Sequence, residues 1–124
     1  MKKSILPILA LSLFFLGSCW SSKNKTDTNP ENTDNSRFIV SFYSPGDGIN
    51  RTAKQKFISF LENLEPSLSY NEVKWGREGE VDYCFALTEM KKADQDAFVK
   101  SVKELLAKAD KVKFSENSPC RNSR

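Results

Sequence analysis

Three groups of residues in this 124-residue chain have the types and spacing to do chemistry. The first is Ser44-Pro45-Gly46-Asp47-Gly48-Ile49-Asn50-Arg51, a glycine-bearing stretch between an alternating apolar segment and an amphipathic one. At a helix amino terminus its backbone N–H groups and the helix dipole would hold a phosphate or carboxylate, with Gly46 and Gly48 as the cradle and Arg51 as the clamp. Asp47 would oppose an anion there, and a plain turn with Asn50 as helix cap accounts for the same residues. The second group is Gly76-Arg77-Glu78-Gly79-Glu80-Val81-Asp82. Glu78, Glu80 and Asp82 alternate, so they share one strand face and offer hard oxygens to a cation. Arg77 competes for those oxygens and no twelve-residue calcium loop surrounds them, so no metal site is expected. Solvated hairpin charges that discourage edge pairing are the simpler expectation. The third group is Tyr43, Asp82 and Cys84 on one sheet face, where Tyr43 with Trp75 could stack a sugar or a peptide. Cys84 has no cationic neighbour in sequence to lower its pKa, so it is not expected to be a reactive thiol. A carboxy-terminal tail laid over that face is the plainer account.

What is missing narrows the chemistry further. The chain has no histidine, which removes the commonest general base, metal ligand and pH switch together. There is no C-x-x-C motif either, and no base lies beside a nucleophile, so neither catalytic residues nor a cofactor are expected. The 19 basic residues exceed the 16 acidic ones by three, and two of the basic residues are Lys2 and Lys3. Without those two the remainder is close to neutral, and no concentrated basic face suggests nucleic acid as a partner.

Lys2 and Lys3 precede an uncharged run from Ser4 to Ser18 rich in Leu, Ile and Phe, after which the composition turns polar. That pattern is a secretory signal. It is too short for a comfortable membrane span of about 20 residues, and Pro7 interrupts it. The run closes on Leu16-Gly17-Ser18-Cys19, which resembles the lipobox of bacterial lipoproteins. The resemblance implies thioether lipidation of Cys19, cleavage before it, and acylation of the new amino terminus. Several acyl chains would hold the protein on a membrane where a single chain binds only marginally. Trp20-Ser21-Ser22 places no aspartate after the cysteine, so the outer membrane rather than the inner is the expected destination within the cell envelope.

The remaining elements must position the candidate residues. Residues 19–36 are Cys19, Trp20 and then almost only Ser, Thr, Asn, Asp and Lys, a composition that cannot bury enough surface to order itself. They read as a tether whose polar stretch has a root-mean-square reach of about 20–25 Å. Phe38, Val40 and Phe42 alternate as one face of a first strand from Arg37 to Tyr43. A helix from Ile49 or Asn50 carries Ile49, Ala53, Phe57, Phe60, Leu61 and Leu64 on one stripe and stops before Pro66. Tyr70 to Lys74 or Trp75 and Glu80 to Thr88 read as a hairpin closed by Gly76-Arg77-Glu78-Gly79. The spacing of Phe98, Val102, Leu105, Leu106 and Ala109 predicts a second helix over 94–109, and Lys111 to Phe114 a short fourth strand.

The order β-α-β-β-α-β resembles the ferredoxin-like split arrangement, an α+β fold with a four-stranded antiparallel sheet and two helices on one face. It would span residues 37–115, with a polar tail at 116–124. Ile39, Ser41, Tyr43, Asp82, Cys84 and Ala86 would occupy the opposite, open face. Ferredoxin-like acylphosphatases bind phosphate on a loop at the place of residues 44–51, using a loop arginine and a strand asparagine. This chain departs from their loop pattern and has Asp82 and Cys84 where the asparagine is wanted.

With Cys19 lipidated, Cys84 and Cys120 remain as an even pair in an exported chain, and a disulfide between them is expected. Two functions stay open from the residues alone. One is a membrane-tethered, noncatalytic binding module with an envelope protein as partner; the other is a small acylphosphatase-like hydrolase that uses the 44–51 loop as an anion cradle.

Overall fold

A computed structural model describes residues 35–122. The leader at 1–18, Cys19 and most of the expected tether lie outside the described residues. The elements are β1 (Asn35–Phe42), α1 (Arg51–Glu62), β2 (Asn71–Lys74), β3 (Val81–Phe85), α2 (Lys92–Leu105) and β4 (Val112–Pro119). The sheet order is β2-β3-β1-β4 with every neighbouring pair antiparallel, the α+β architecture and strand order of the ferredoxin-like arrangement. No helix among the described residues is long and apolar enough to cross a membrane.

Strand alternation sets which face meets the helices. Val40 stands opposite Tyr83 on β3 and Phe114 on β4, and Phe42 opposite Val81 and Val112. These residues form one apolar cluster with Phe38, Phe85 and Leu87 from the sheet side and with Ala53, Phe57, Leu61, Phe98, Val99, Val102 and Leu106 from the helices. Phe57 stands edge-on to both Tyr83 and Phe85, at centroid distances of 5.3 and 6.2 Å. The Asn50 side chain accepts from Ala53 N at 2.9 Å, so the expected cap is in place.

The element ends differ from the periodicity in informative ways. α2 begins at Lys92 and stops at Leu105, yet Leu106 and Ala109 still pack against the core from the turn that follows. β3 ends at Phe85, and Leu87, with φ 57°, turns the chain out of the ladder while staying fully buried. The larger differences are at the two outer ends of the chain. β1 starts at Asn35 and β4 continues to Pro119, because Ser115, Glu116, Ser118 and Pro119 pair with Ile39, Phe38, Ser36 and Asn35. Residues 35–36, expected in the tether, and 116–119, expected in a polar tail, are therefore strand. Each supplies the partner that the other's backbone needs, and side-chain polarity gives no warning of it on an edge.

The face away from the helices is covered over its centre, where Ile39, Val73, Asp82 and Cys84 are all nearly inaccessible, in keeping with the expected tail laid over it. The cover is the carboxy-terminal segment, anchored by the Cys84–Cys120 disulfide with Cα atoms 5.9 Å apart. The bridge joins the expected cysteines. Ser115–Pro119 extend β4, and the turn over the sheet falls at Cys120 itself.

Candidate functional site

The loop after β1 is built around one hydroxyl. Ser44 Oγ accepts from Gly46 N at 3.0 Å and Gly48 N at 2.9 Å and donates its hydrogen to the Glu78 carboxylate. Folding two backbone N–H groups round one side chain requires positive φ, and Gly46 and Gly48 take it with values of 128° and 89°. Asp47 is turned away to Lys111, whose ammonium donates to Asp47 Oδ1 at 2.8 Å and to the Gly48 carbonyl at 2.9 Å. The Lys111 hydrogen bond holds the Asp47 carboxyl below its ordinary pKa. The acid expected to repel an anion is thus already paired.

The strand register brings the hairpin tip beside this loop. Val81 pairs with Phe42 on one side and Lys74 on the other, and Trp75 N donates to the Glu80 carbonyl at 3.1 Å, so residues 76–79 lie next to the chain leaving β1. Between loop, hairpin and the first turn of α1 is a cleft of about 550 Å³ lined by Gly48, Ile49, Arg51, Lys54, Arg77, Glu78 and Gly79. Arg51 and Lys54 are one helical turn apart on α1, and Arg77 comes from the hairpin. None of the three makes an ion pair among the described residues. The cleft's acid, Glu78, is occupied by Ser44 and by the Gly48 N–H at 3.4 Å. The result is a concave surface with three uncommitted cations beside a helix amino terminus that has no acidic residue in its first turn.

Of the residues expected to cradle an anion, Gly48 and Arg51 line the cleft; Gly46 shapes the loop without lining it. Lys54 and Arg77 were not singled out with them, because only the hairpin register reveals that residues 26 positions apart share a wall.

The acidic triplet does not converge. Glu80 accepts from Glu78 N at 2.8 Å, Glu78 turns to the 44–48 loop, and Asp82 points to the face away from the helices. Among the described residues no group of three or more acidic, cysteine or histidine side chains is arranged to hold a metal ion. Of the two aromatics expected to stack a sugar or a peptide, Tyr43 is 40% exposed and makes no ring contact with Trp75. Trp75 is engaged elsewhere. Its Nε1–H donates to Asp82 Oδ1 at 2.9 Å, and the Arg121 guanidinium carbon lies 4.1 Å from its ring centroid. Arg121 Nε donates to Asp82 Oδ2 at 3.3 Å, which completes a Trp75–Asp82–Arg121 cluster beside the disulfide.

Comparison with protein-family models, curated proteins and solved structures finds no match for this chain.

Proposed function

We propose that this protein is a lipid-tethered envelope lipoprotein whose globular domain is a noncatalytic module that binds an anionic group of an envelope partner in the cleft between the 44–51 loop and the hairpin tip. The observation that supports the cleft is the convergence of Arg51, Lys54 and Arg77, without ion pairs among the described residues, on one concavity. A carboxylate or phosphate placed there replaces water around three like charges, and Arg51 and Arg77 can each offer it a planar pair of donors. Support for the anchor comes from Lys2, Lys3, the apolar run and Leu16-Gly17-Ser18-Cys19. Asn35, where the tether would join, begins β1 and the cleft loop follows its other end, so the cleft lies at the pole far from the attachment point.

The hydrolytic alternative has less support. Ser44 is the hydroxyl bonded to the cleft's Glu78, but its two lone pairs accept from Gly46 and Gly48 and its hydrogen goes to that carboxylate. A nucleophile needs a free lone pair and a base that can take its proton; here the hydroxyl organises a turn instead.

Two measurements test the reading. The full chain produced in bacteria incorporates labelled palmitate into the membrane fraction, and Cys19→Ser abolishes incorporation; equal labelling of the variant overturns the anchor. Inorganic phosphate or an acidic peptide moves the amide resonances of Gly48, Arg51 and Arg77 saturably without being hydrolysed. Unmoved amides overturn the cleft as the binding site, and turnover of acetyl phosphate at this site overturns the noncatalytic assignment.

A further inference from the structure

The covered sheet face holds a second recognition element whose chemistry is opposite to that of the cleft. Asp82 is 4% exposed, an ionisable side chain put almost out of water, and its two oxygens divide their work between Trp75 Nε1 and Arg121 Nε. A buried carboxylate is costly unless donors surround it, so the arrangement requires a cation at the position Arg121 fills. The indole beside it supplies the second half of cation recognition, a negative ring face on which a guanidinium plane can stack.

The two halves of this contact differ in how firmly they are held. Trp75 and Asp82 stand on the hairpin, with Asp82 paired to Val73 and to Ser41, and Trp75 bonded through its N–H to Glu80. Arg121 lies beyond the end of β4, its side chain 53% exposed. It engages the carboxylate through Nε alone, at 3.3 Å, and the terminal nitrogens of its guanidinium make no ion pair among the described residues. The carboxylate is buried and the indole half-buried on the hairpin; the cation is peripheral and incompletely bonded.

From this asymmetry we infer that Trp75 and Asp82 form a guanidinium-binding site that the chain fills with its own Arg121, and that its ligand in an assembly is an arginine side chain of a partner protein that takes Arg121's place. The disulfide explains why the arginine must come from a protein. Cys120 is bonded to Cys84 two residues from Asp82 on β3, so the adjacent Arg121 is presented to the site at high effective concentration. A free small cation competes poorly with such a neighbour, whereas an arginine delivered by a partner already docked through other contacts competes on equal terms. The site and the anionic-ligand cleft use different residues and are tested separately.

The experiment uses the full chain in detergent with Trp20→Phe, which leaves Trp75 as the single indole of the two. The probe is the peptide acetyl-Gly-Arg-Gly-amide, followed by Trp75 fluorescence and its indole N–H resonance. In Arg121→Ala the midpoint of the titration falls at least about 10-fold below that of the parent, the size of change expected when a tethered competitor is removed. Arg121→Lys, which keeps a cation but not a planar one, lies between them. Adding Asp82→Asn to Arg121→Ala, which keeps the acceptor for Trp75 Nε1, returns the midpoint to the parent's value or above. Trp75→Leu in the same background, read on the Val73 and Cys84 amides, gives that loss by a second route. Equal midpoints for Arg121→Ala and the parent overturn the proposal, as does undiminished binding after either Asp82→Asn or Trp75→Leu.

Discussion

Glu78 accepts the hydroxyl hydrogen of Ser44, and this bond fastens the loop after β1 to the tip of the β2–β3 hairpin. It joins the two walls of the cationic cleft and at the same time occupies the acid that would otherwise neutralise Arg51, Lys54 and Arg77. Cutting the bond should therefore affect the cleft in a way that simple charge removal does not. Ser44→Ala frees Glu78 to pair with the cations, and phosphate affinity measured by amide shifts should fall severalfold. Arg51→Ala and Arg77→Ala should each weaken it by roughly 3- to 10-fold, as expected for loss of a charge-assisted contact of about 1 kcal/mol. Lys100→Ala, on α2 beside Glu104, should leave it unchanged. All of the binding should weaken with added salt, since Arg51 and Arg77 are exposed.

The disulfide carries the cover over the second sheet face. Alkylation without reduction should modify neither Cys84 nor Cys120, as read by mass spectrometry of the purified protein. The double variant Cys84→Ser with Cys120→Ser opens a link across a sequence separation of 36 and should cost about 2–4 kcal/mol in urea unfolding. Hydrogen exchange at Ile39 and Asp82 should accelerate in that variant, because the segment at 120–122 loses its anchor.

Phe57 is the aromatic that α1 contributes to the centre of the core, in ring contact with Phe42, Tyr83 and Phe85. Phe57→Ala should destabilise the domain by about 3–5 kcal/mol, and Lys100→Ala by less than about 0.5 kcal/mol, in the same denaturant titration.

Acid should destabilise the fold through a defined set of carboxylates. Asp96 is held below its ordinary pKa chiefly by the Arg37 hydrogen bond, Glu116 by Lys103 and then Arg37, and Asp47 by Lys111. The unfolded chain, with values near the usual 3.9 for Asp and about 4.3 for Glu, binds more protons in acid than the folded one. The stabilisation is therefore complete above about pH 5 and is lost as the pH falls through the unfolded values toward the lower folded ones. Thermal midpoints recorded from pH 7 to pH 3 should show this fall, and Asp96→Asn with Glu116→Gln should flatten it. These side chains are largely exposed, so the effect should also shrink in high salt.

Much of the fold was legible because its signals are local. Phe38, Val40 and Phe42 announce a strand with one buried face, the stripe from Ala53 to Leu61 announces a helix, and Asn50 announces where it starts. The bridge was legible from cysteine parity and the expected compartment. What escaped was set by pairing across the chain. Ser115–Pro119 form a strand only because Asn35–Ile39 lie beside them, and nothing in Ser-Glu-Asn-Ser-Pro advertises it. Arg37 ties β1 to Asp96 at 2.8 Å and to Glu116 at 2.6 Å, over separations of 59 and 79 residues. In the same way, Arg77 joined the candidate site through register, and Trp75 meets Arg121, a residue from the far end of the domain.

β1 is flanked on both sides, by β3 and by β4, and its two ends lead to different places: Asn35 to the side of the proposed tether, Phe42 to the cleft loop. A ligand pulled while the anchor holds would stretch the domain along this one strand. Antiparallel ladder bonds lie perpendicular to the strands, so such a force loads the bonds to both neighbours together in shear, whereas a pull across the sheet would peel them in turn. A domain so suspended would share tension between both of β1's ladders at once.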